Sequence, residues 1–138
     1  MRILLFVSTL AVAAACSPTE TEVAPPVADA TIAAADKTDI ECLSAKTVTK
    51  ITETIRDGAA AGIDPAELRD VPAVETAKAV EQLQTKYSQD AHATLLKSDV
   101  NYRLEVIQNA INNRNPESDA HQVMNDTFER AAGCTFGS

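Results

Sequence analysis

The stretch LKSDVNYRLEVIQNAI, residues 96–111, repeats apolar side chains at the spacing of an α-helix. Successive apolar positions are separated by four, four, three and four residues, which suits one face of a helix and not an alternating strand. These positions are Leu96, Val100, Leu104, Ile107 and Ile111. No glycine or proline lies between Pro72 and Pro116. We therefore predict a long amphipathic helix here, preceded by a break near residues 88–90.

Helix start signals recur on both sides of this stretch. Each combines a polar capping residue with an acid or a proline at the first helical positions. They are Thr38 with Glu41, Asp64–Glu67, Ser88–Asp90 and Asn115 with Pro116. Pro72 is expected to interrupt or restart the helix that begins after Asp64, and Gly133 to close the last one. The sequence thus predicts an all-α domain over residues 37–138, arranged as an antiparallel four-helix bundle.

Two cysteines, Cys42 and Cys134, lie near the two ends of this predicted domain. In an up-down-up-down bundle the first and last helices are neighbours, so these positions meet at one end. A disulfide between them would close a loop of about 90 residues and stabilise the fold by roughly 4 kcal/mol on the chain-entropy model. The alternative is two unpaired buried thiols. Two cysteines are too few for a structural zinc site, and there is no Cys-x-x-Cys redox motif.

The N-terminus resembles that of bacterial lipoproteins. A basic start (Met1-Arg2), the apolar run Ile3–Val7 and the small residues Ala13–Ala15 precede Cys16, the order of a signal peptide that ends at a lipobox. The resemblance implies a signal peptide at 1–15 that is removed, and lipidation of Cys16. Ser17 is similar to the residue that follows the cysteine in outer-membrane lipoproteins, which implies the periplasmic face of that membrane. The alternative is an ordinary secretory signal cut at the same site, with Cys16 left as a free or disulfide-forming thiol.

Residues 17–36 read SPTETEVAPPVADATIAAAD. They include no aromatic and no basic residue, and with so little apolar surface to bury they are predicted to form a disordered tether. With Cys16 they make up the segment 16–36 that joins the anchor to the domain.

The charge balance argues against nucleic acid as a partner. From Lys37 to Cys134 the chain has 11 Lys and Arg against 16 Asp and Glu, without a basic stripe. A basic protein partner fits better.

Catalytic signals are sparse. His92 follows Asp90 by two residues, and His121 lies four residues after Glu117. Each histidine could therefore form half of an acid–base or metal-binding pair, but no second ligand lies at metal-binding spacing. The simpler interpretation is that both are exposed helix histidines beside capping acids. Because there is no phosphate loop, cofactor fingerprint or metal-ligand spacing, we predict no enzyme activity, no cofactor and no metal site.

The predicted helix at 96–111 is apolar on more than one side, which indicates either a central position in the fold or a covered surface. We predict a partner or homodimer surface at Leu95, Asp99, Tyr102, Glu105 and Val106. The leading hypothesis is therefore a lipid-anchored periplasmic protein-binding module, for example an inhibitor or immunity protein against a basic toxin or hydrolase. The alternatives are an envelope acid-stress chaperone and an accessory component of an envelope machine.

Overall fold

The computed structural model describes residues 32–137, in which every regular element is a helix. Four helices are long and one is a single turn: α1 (Ala34–Ala60), α2 (Pro65–Leu68), α3 (Val71–Gln84), α4 (Asp90–Asn112) and α5 (Asp119–Ala132). The predicted signal peptide, Cys16 and the predicted tether up to residue 31 lie outside the described residues. The predicted all-α class is confirmed.

The first helix begins earlier than the sequence signals indicate. It starts at Ala34, and the Thr38 hydroxyl donates to the Ala34 carbonyl at 3.1 Å inside the helix. The predicted capping box is therefore wrong, and residues 34–36, assigned to the tether, belong to α1. The physical reason is that alanine has the highest helix propensity and that Ile32, just before the helix, is buried in the core.

The other helices begin near the sequence signals except at α5, although α4 begins at Asp90 without the predicted side-chain cap. Asp64 accepts a hydrogen bond from the Ala66 amide at 2.8 Å, Pro72 lies in the first turn of α3, and the chain breaks between α3 and α4 as predicted. However, α5 does not start at Asn115 with Pro116. Its cap is Ser118, whose hydroxyl accepts from the His121 amide, while the Asn115 side chain accepts from the Glu117 amide within the preceding turn.

Helix α1 lies at the centre of the packing. It contacts α3, α4 and α5, and α4 in turn contacts α3 and α5. The core side chains with no or almost no exposure come from α1, α3 and α4: Ile40, Leu43, Val48, Ile51, Leu83, Leu96 and Val100. Burial of a side chain of this size contributes about 1.5–3 kcal/mol. Helices α3 and α5 lie on either side of α1 with little contact between them.

The structure brings Cys42 and Cys134 to disulfide-bonding distance, with their Cα atoms 5.3 Å apart. Near them, Arg130 of α5 forms a 3.1 Å ion pair with Glu41 of α1. The beginning of α1 therefore lies beside the end of α5, as the cysteine positions predicted.

One member of the predicted apolar stripe is not in the core. Ile111 is 67% exposed, whereas Leu96, Val100 and Ile107 are buried. Ile111 lies in the last turn of α4, on the same strip of the helix as Lys97 and Asn101, which line a groove with α3. Because α3 has 14 residues and α4 has 23, the end of this strip lacks a facing helix.

Candidate functional site

The predicted partner surface lies along one side of α4. Tyr102 is 53% exposed and Glu105 is exposed, while Leu95, Asp99 and Val106 are half-buried. Since one face of α4 supplies core residues, the helix is both a packed element and a carrier of an exposed aromatic ring. An exposed tyrosine beside apolar neighbours is the kind of side chain that anchors protein interfaces.

Asp99 has an internal partner, which distinguishes it from Glu105. Its carboxylate accepts a hydrogen bond from Arg103 Nε at 2.8 Å. Arg103 is only 6% exposed, and its Nη1 donates to the Thr127 hydroxyl of α5 at 2.8 Å. The guanidinium thus joins α4 to α5. Asp99 holds the guanidinium in place and also forms part of the predicted surface.

The same ion-pair network reaches α1. Asp126 of α5 lies 3.6 Å from Arg103 and 3.5 Å from Arg130. Arg130 in turn pairs with Glu41. Five alternating charges therefore connect α4, α5 and α1, and their end at Asp99 borders the predicted surface.

A second polar cluster occupies the end of the molecule where α1 and α4 begin. His92 is 4% exposed, and its Nε2 donates to the Asp36 carboxylate at 3.0 Å. Its other ring nitrogen, Nδ1, is buried and has no hydrogen-bond partner among residues 32–137. The imidazole stacks on the Tyr87 ring, with centroids 4.7 Å apart. The interpretation of His92 as an exposed histidine paired with Asp90 is therefore wrong.

Tyr87, which lies just after α3, connects this histidine to a second carboxylate of α1. Its hydroxyl donates to Asp39 Oδ2 at 2.6 Å, and Lys86 Nζ donates to the same oxygen at 2.5 Å. These two hydrogen bonds, first that from Lys86 and then that from Tyr87, lower the pKa of Asp39. Desolvation, followed by the hydrogen bond to Asp39, raises the pKa of Tyr87, and the same carboxylate raises the pKa of Lys86.

Beside this cluster lies an open groove of about 740 Å³. Its walls include Cys42, Cys134, Lys86 and Phe136, and the Phe136 ring stacks on Tyr87 with centroids 6.4 Å apart. The ammonium group of Lys86 lies 5.7 Å from the Phe136 ring centroid, within the range of a cation–π contact. The C-terminal segment is thereby packed against the ends of α1 and α3.

His121 belongs to a different environment. Its Nδ1 shares a 2.9 Å hydrogen bond with the Ser118 hydroxyl, and no hydrogen bond or ion pair joins it to the predicted partner Glu117. The two histidines share no partner, and residues 32–137 hold no convergent group of three metal-ligating side chains. The cluster around His92 was missed by sequence reasoning because Asp36 and Asp39 are far from it along the chain, and no local motif marks their pairing.

Comparison with known proteins adds no relative. No protein-family model matches the chain, and neither a curated protein nor a solved structure shows significant similarity to it. None of the helices in residues 32–137 combines the length and hydrophobicity of a membrane-spanning segment.

Proposed function

We propose that this protein is a lipid-anchored periplasmic module that binds another protein through α4. The observation that carries the proposal is the exposure of Tyr102, which is 53% accessible in a helix whose opposite face is core. Val106 and Leu95 extend the apolar strip, and Glu105 supplies a charged rim. An apolar centre with a charged edge is the usual construction of a protein interface.

The proposed partner is basic, for example a toxin or hydrolase that the module inhibits. The chain has a formal net charge of −8, and Glu105 at the edge of the strip forms no ion pair with any residue in 32–137. Complementary charge accelerates association and disfavours acidic competitors. A homodimer through the same strip would place like charges against each other and is therefore the weaker candidate.

The scaffold proposed for this surface is an antiparallel bundle of the four long helices, closed by a Cys42–Cys134 disulfide. In support, Asp39 near the start of α1 bonds Tyr87 just after α3, whereas Lys50, farther along α1, shares a groove with Glu75 near the start of α3. These contacts run in opposite directions along the two helices. A rigid support of this kind lowers the entropy lost when a partner binds.

Site-specific photo-crosslinking in the intact envelope tests the binding surface. A photoreactive residue in place of Tyr102 should give a discrete crosslinked product. Gln108 is the matched control, because it is exposed on the same helix but lies about 120° around the helix axis from Tyr102. Crosslinking of equal yield at both positions, or at neither, would refute a binding surface at Tyr102.

The membrane anchor is tested separately through Cys16. Labelling with a fatty-acid analogue should mark the native chain and fail with Cys16→Ser, and fractionation should place the labelled chain with the outer membrane. Label retained by Cys16→Ser, or no label on either chain, would contradict lipidation at this residue.

An acid-stress chaperone is the second candidate, and the carboxylate pairs between helices favour it. Asp36 and Asp126 each pair with a residue of another helix, and Asp39 pairs with Lys86 just after α3. Protonation of these groups weakens contacts between helices while Lys and Arg stay charged, which loosens packing and exposes apolar surface. Binding of an apolar dye should then rise between neutral pH and about pH 2. A dye-silent chain with unchanged near-ultraviolet dichroism would exclude this activity.

A further inference from the structure

An open valley runs along the outer side of α1. Helix α3 forms one wall and α5 the other, because both pack on α1 with little contact between them. The groove against α3 and the groove against α5 share Lys46 and Lys50, which therefore lie at the middle of the valley. We call this surface the lysine valley.

The lysine valley reverses the charge balance of the domain. The valley is lined by three basic residues and two acids, Lys46, Lys50 and Lys78 with Glu53 and Glu75. The neighbouring groove at the start of α1 adds Lys86 and Arg130, with Asp39 as its acid. The chain from Lys37 to Cys134 has 11 basic and 16 acidic residues. Basic side chains are thus concentrated on one face of an acidic protein.

The central lysines lack compensation within the fold. Lys78 pairs with Glu75, and Lys86 pairs with Asp39. Lys46 donates only to the Phe136 carbonyl at 3.4 Å, and neither Lys46 nor Lys50 forms an ion pair with any residue in 32–137. Two like charges four residues apart on a helix repel each other. A bound carboxylate would relieve this repulsion.

Apolar atoms line the valley between the charges. Leu43 and Ala79 lie in the groove against α3, and Phe128 and Ala131 lie in the groove against α5. The valley extends along α1 from about Leu43 to Glu53, roughly 15 Å at the rise of a helix. That length accommodates about four or five residues of extended chain. The site is therefore too long for a single small anion and suits a peptide.

We propose that the lysine valley binds an extended acidic segment of another protein. Carboxylates of the segment pair with Lys46 and Lys50, and its apolar atoms contact the floor of the valley beside Phe128. The proposal is independent of the α4 surface, because α1 presents the valley on its outer side and packs against α4 with its inner side. A chain with both surfaces would hold a basic and an acidic partner at the same time.

Binding of a short labelled peptide tests the proposal. The probe is an eight-residue peptide of alternating Glu and Pro, which is acidic and extended, and its control is the same peptide with Gln in place of Glu. Fluorescence anisotropy with the full chain at low salt should show saturable binding of the Glu peptide only. Absence of saturable binding, or equal binding of the Gln peptide, would overturn the proposal.

Matched variants assign the site. The double variant Lys46→Gln with Lys50→Gln should weaken binding roughly two- to thirtyfold, since each of the two exposed ion pairs contributes about 0.2–1 kcal/mol. Lys97→Gln with Lys78→Gln removes two charges as well, but only one from the valley, and should weaken binding less. Equal losses in the two variants would show a general charge effect and reject the site.

The chain's own acidic residues provide the last test. If Glu20→Gln, Glu22→Gln and Asp29→Asn together strengthen binding of the Glu peptide, the N-terminal segment of the same chain competes for the valley, and a partner protein is not its occupant. Unchanged affinity supports a partner. Melting temperatures of the lysine variants should stay close to that of the native chain, because the internal contacts of these lysines are a long hydrogen bond from Lys46 and an exposed ion pair of Lys78.

Discussion

His92 in the first turn of α4 bonds Asp36 in the first turn of α1, with 3.0 Å between Nε2 and the carboxylate oxygen. The bond joins the starts of two helices that are 56 residues apart in the chain, and the stacked Tyr87 ring adds the end of α3. Three helix ends are thereby held together by one buried imidazole. This relationship predicts how the end of the molecule responds to substitution.

Removal of the imidazole should destabilise the fold. His92→Ala leaves a cavity, deletes the stacking contact with Tyr87 and frees the Asp36 carboxylate, so we expect a loss of about 2–4 kcal/mol in the free energy of unfolding. His92→Phe keeps the stacked ring and removes the unpaired Nδ1, so it should cost less than His92→Ala. Urea unfolding at neutral pH measures both, with His121→Ala as the control. Equal losses for His92→Ala and His121→Ala would contradict a structural role for His92.

Asp39 should contribute a pH-dependent part of the stability. Lys86 and Tyr87 lower its pKa in the folded state below the ordinary value of 3.8. The unfolded chain then takes up the proton first as pH falls, so this contribution is complete above about pH 4 and is lost as pH falls through the lower folded-state pKa. Asp39→Asn should therefore be less stable than the native chain at neutral pH, and the difference should shrink below about pH 4. A constant difference across the range would reject this coupling.

Arg103 should be the most sensitive charged residue of the described domain. It is almost fully buried, and its guanidinium bonds Asp99 and Thr127 across α4 and α5. Arg103→Ala removes these bonds together with the packed side-chain stem, with an expected cost of about 3 kcal/mol. Arg103→Lys should also lose stability, because a lysine ammonium group cannot reproduce the two hydrogen bonds of the planar guanidinium. Arg114→Ala, at an exposed turn position, is the control in chemical unfolding, and equal effects at both sites would oppose this assignment.

The cysteine pair makes a covalent prediction. Mass spectrometry of the non-reduced chain should find Cys42 linked to Cys134, which closes 92 residues of sequence separation. Double substitution by serine should lower the free energy of unfolding by about 4 kcal/mol on the chain-entropy model. Two free thiols, or a disulfide from either residue to Cys16, would contradict both the Cys42–Cys134 disulfide and the proposed bundle.

Tyr102→Ala should separate association from stability. With more than half of its surface already in water, truncation should cost under about 1 kcal/mol of folding stability. Binding of the partner, or self-association measured by sedimentation, should weaken, while Gln108→Ala changes neither. A large fall in melting temperature without any change in association would place Tyr102 in the core and the functional surface elsewhere.

Of the two candidate surfaces, only the one formed by residues close together in the chain could be predicted from the sequence. The strip on α4 was visible in the sequence, since Leu95, Tyr102 and Val106 lie on one side of a helix by spacing alone. The exposure of Tyr102 was not, because it depends on which sides of α4 the other helices cover. The lysine valley was invisible for the same reason: Lys46 and Lys78 become neighbours only after α3 packs against α1.

Helix formation and helix boundaries could be predicted from the sequence alone, because a few neighbouring residues control them. These features include the helical class, the capped start at Asp64, the break before Asp90 and the close at Gly133, because helix formation depends on bonds between residues four apart and on their side-chain propensities. Tertiary structure decided the early start of α1, the pairing of His92 with Asp36 and the burial of Arg103. Each of these requires helices distant in the chain to meet, and a contact between helices has no signature in the local order of residues.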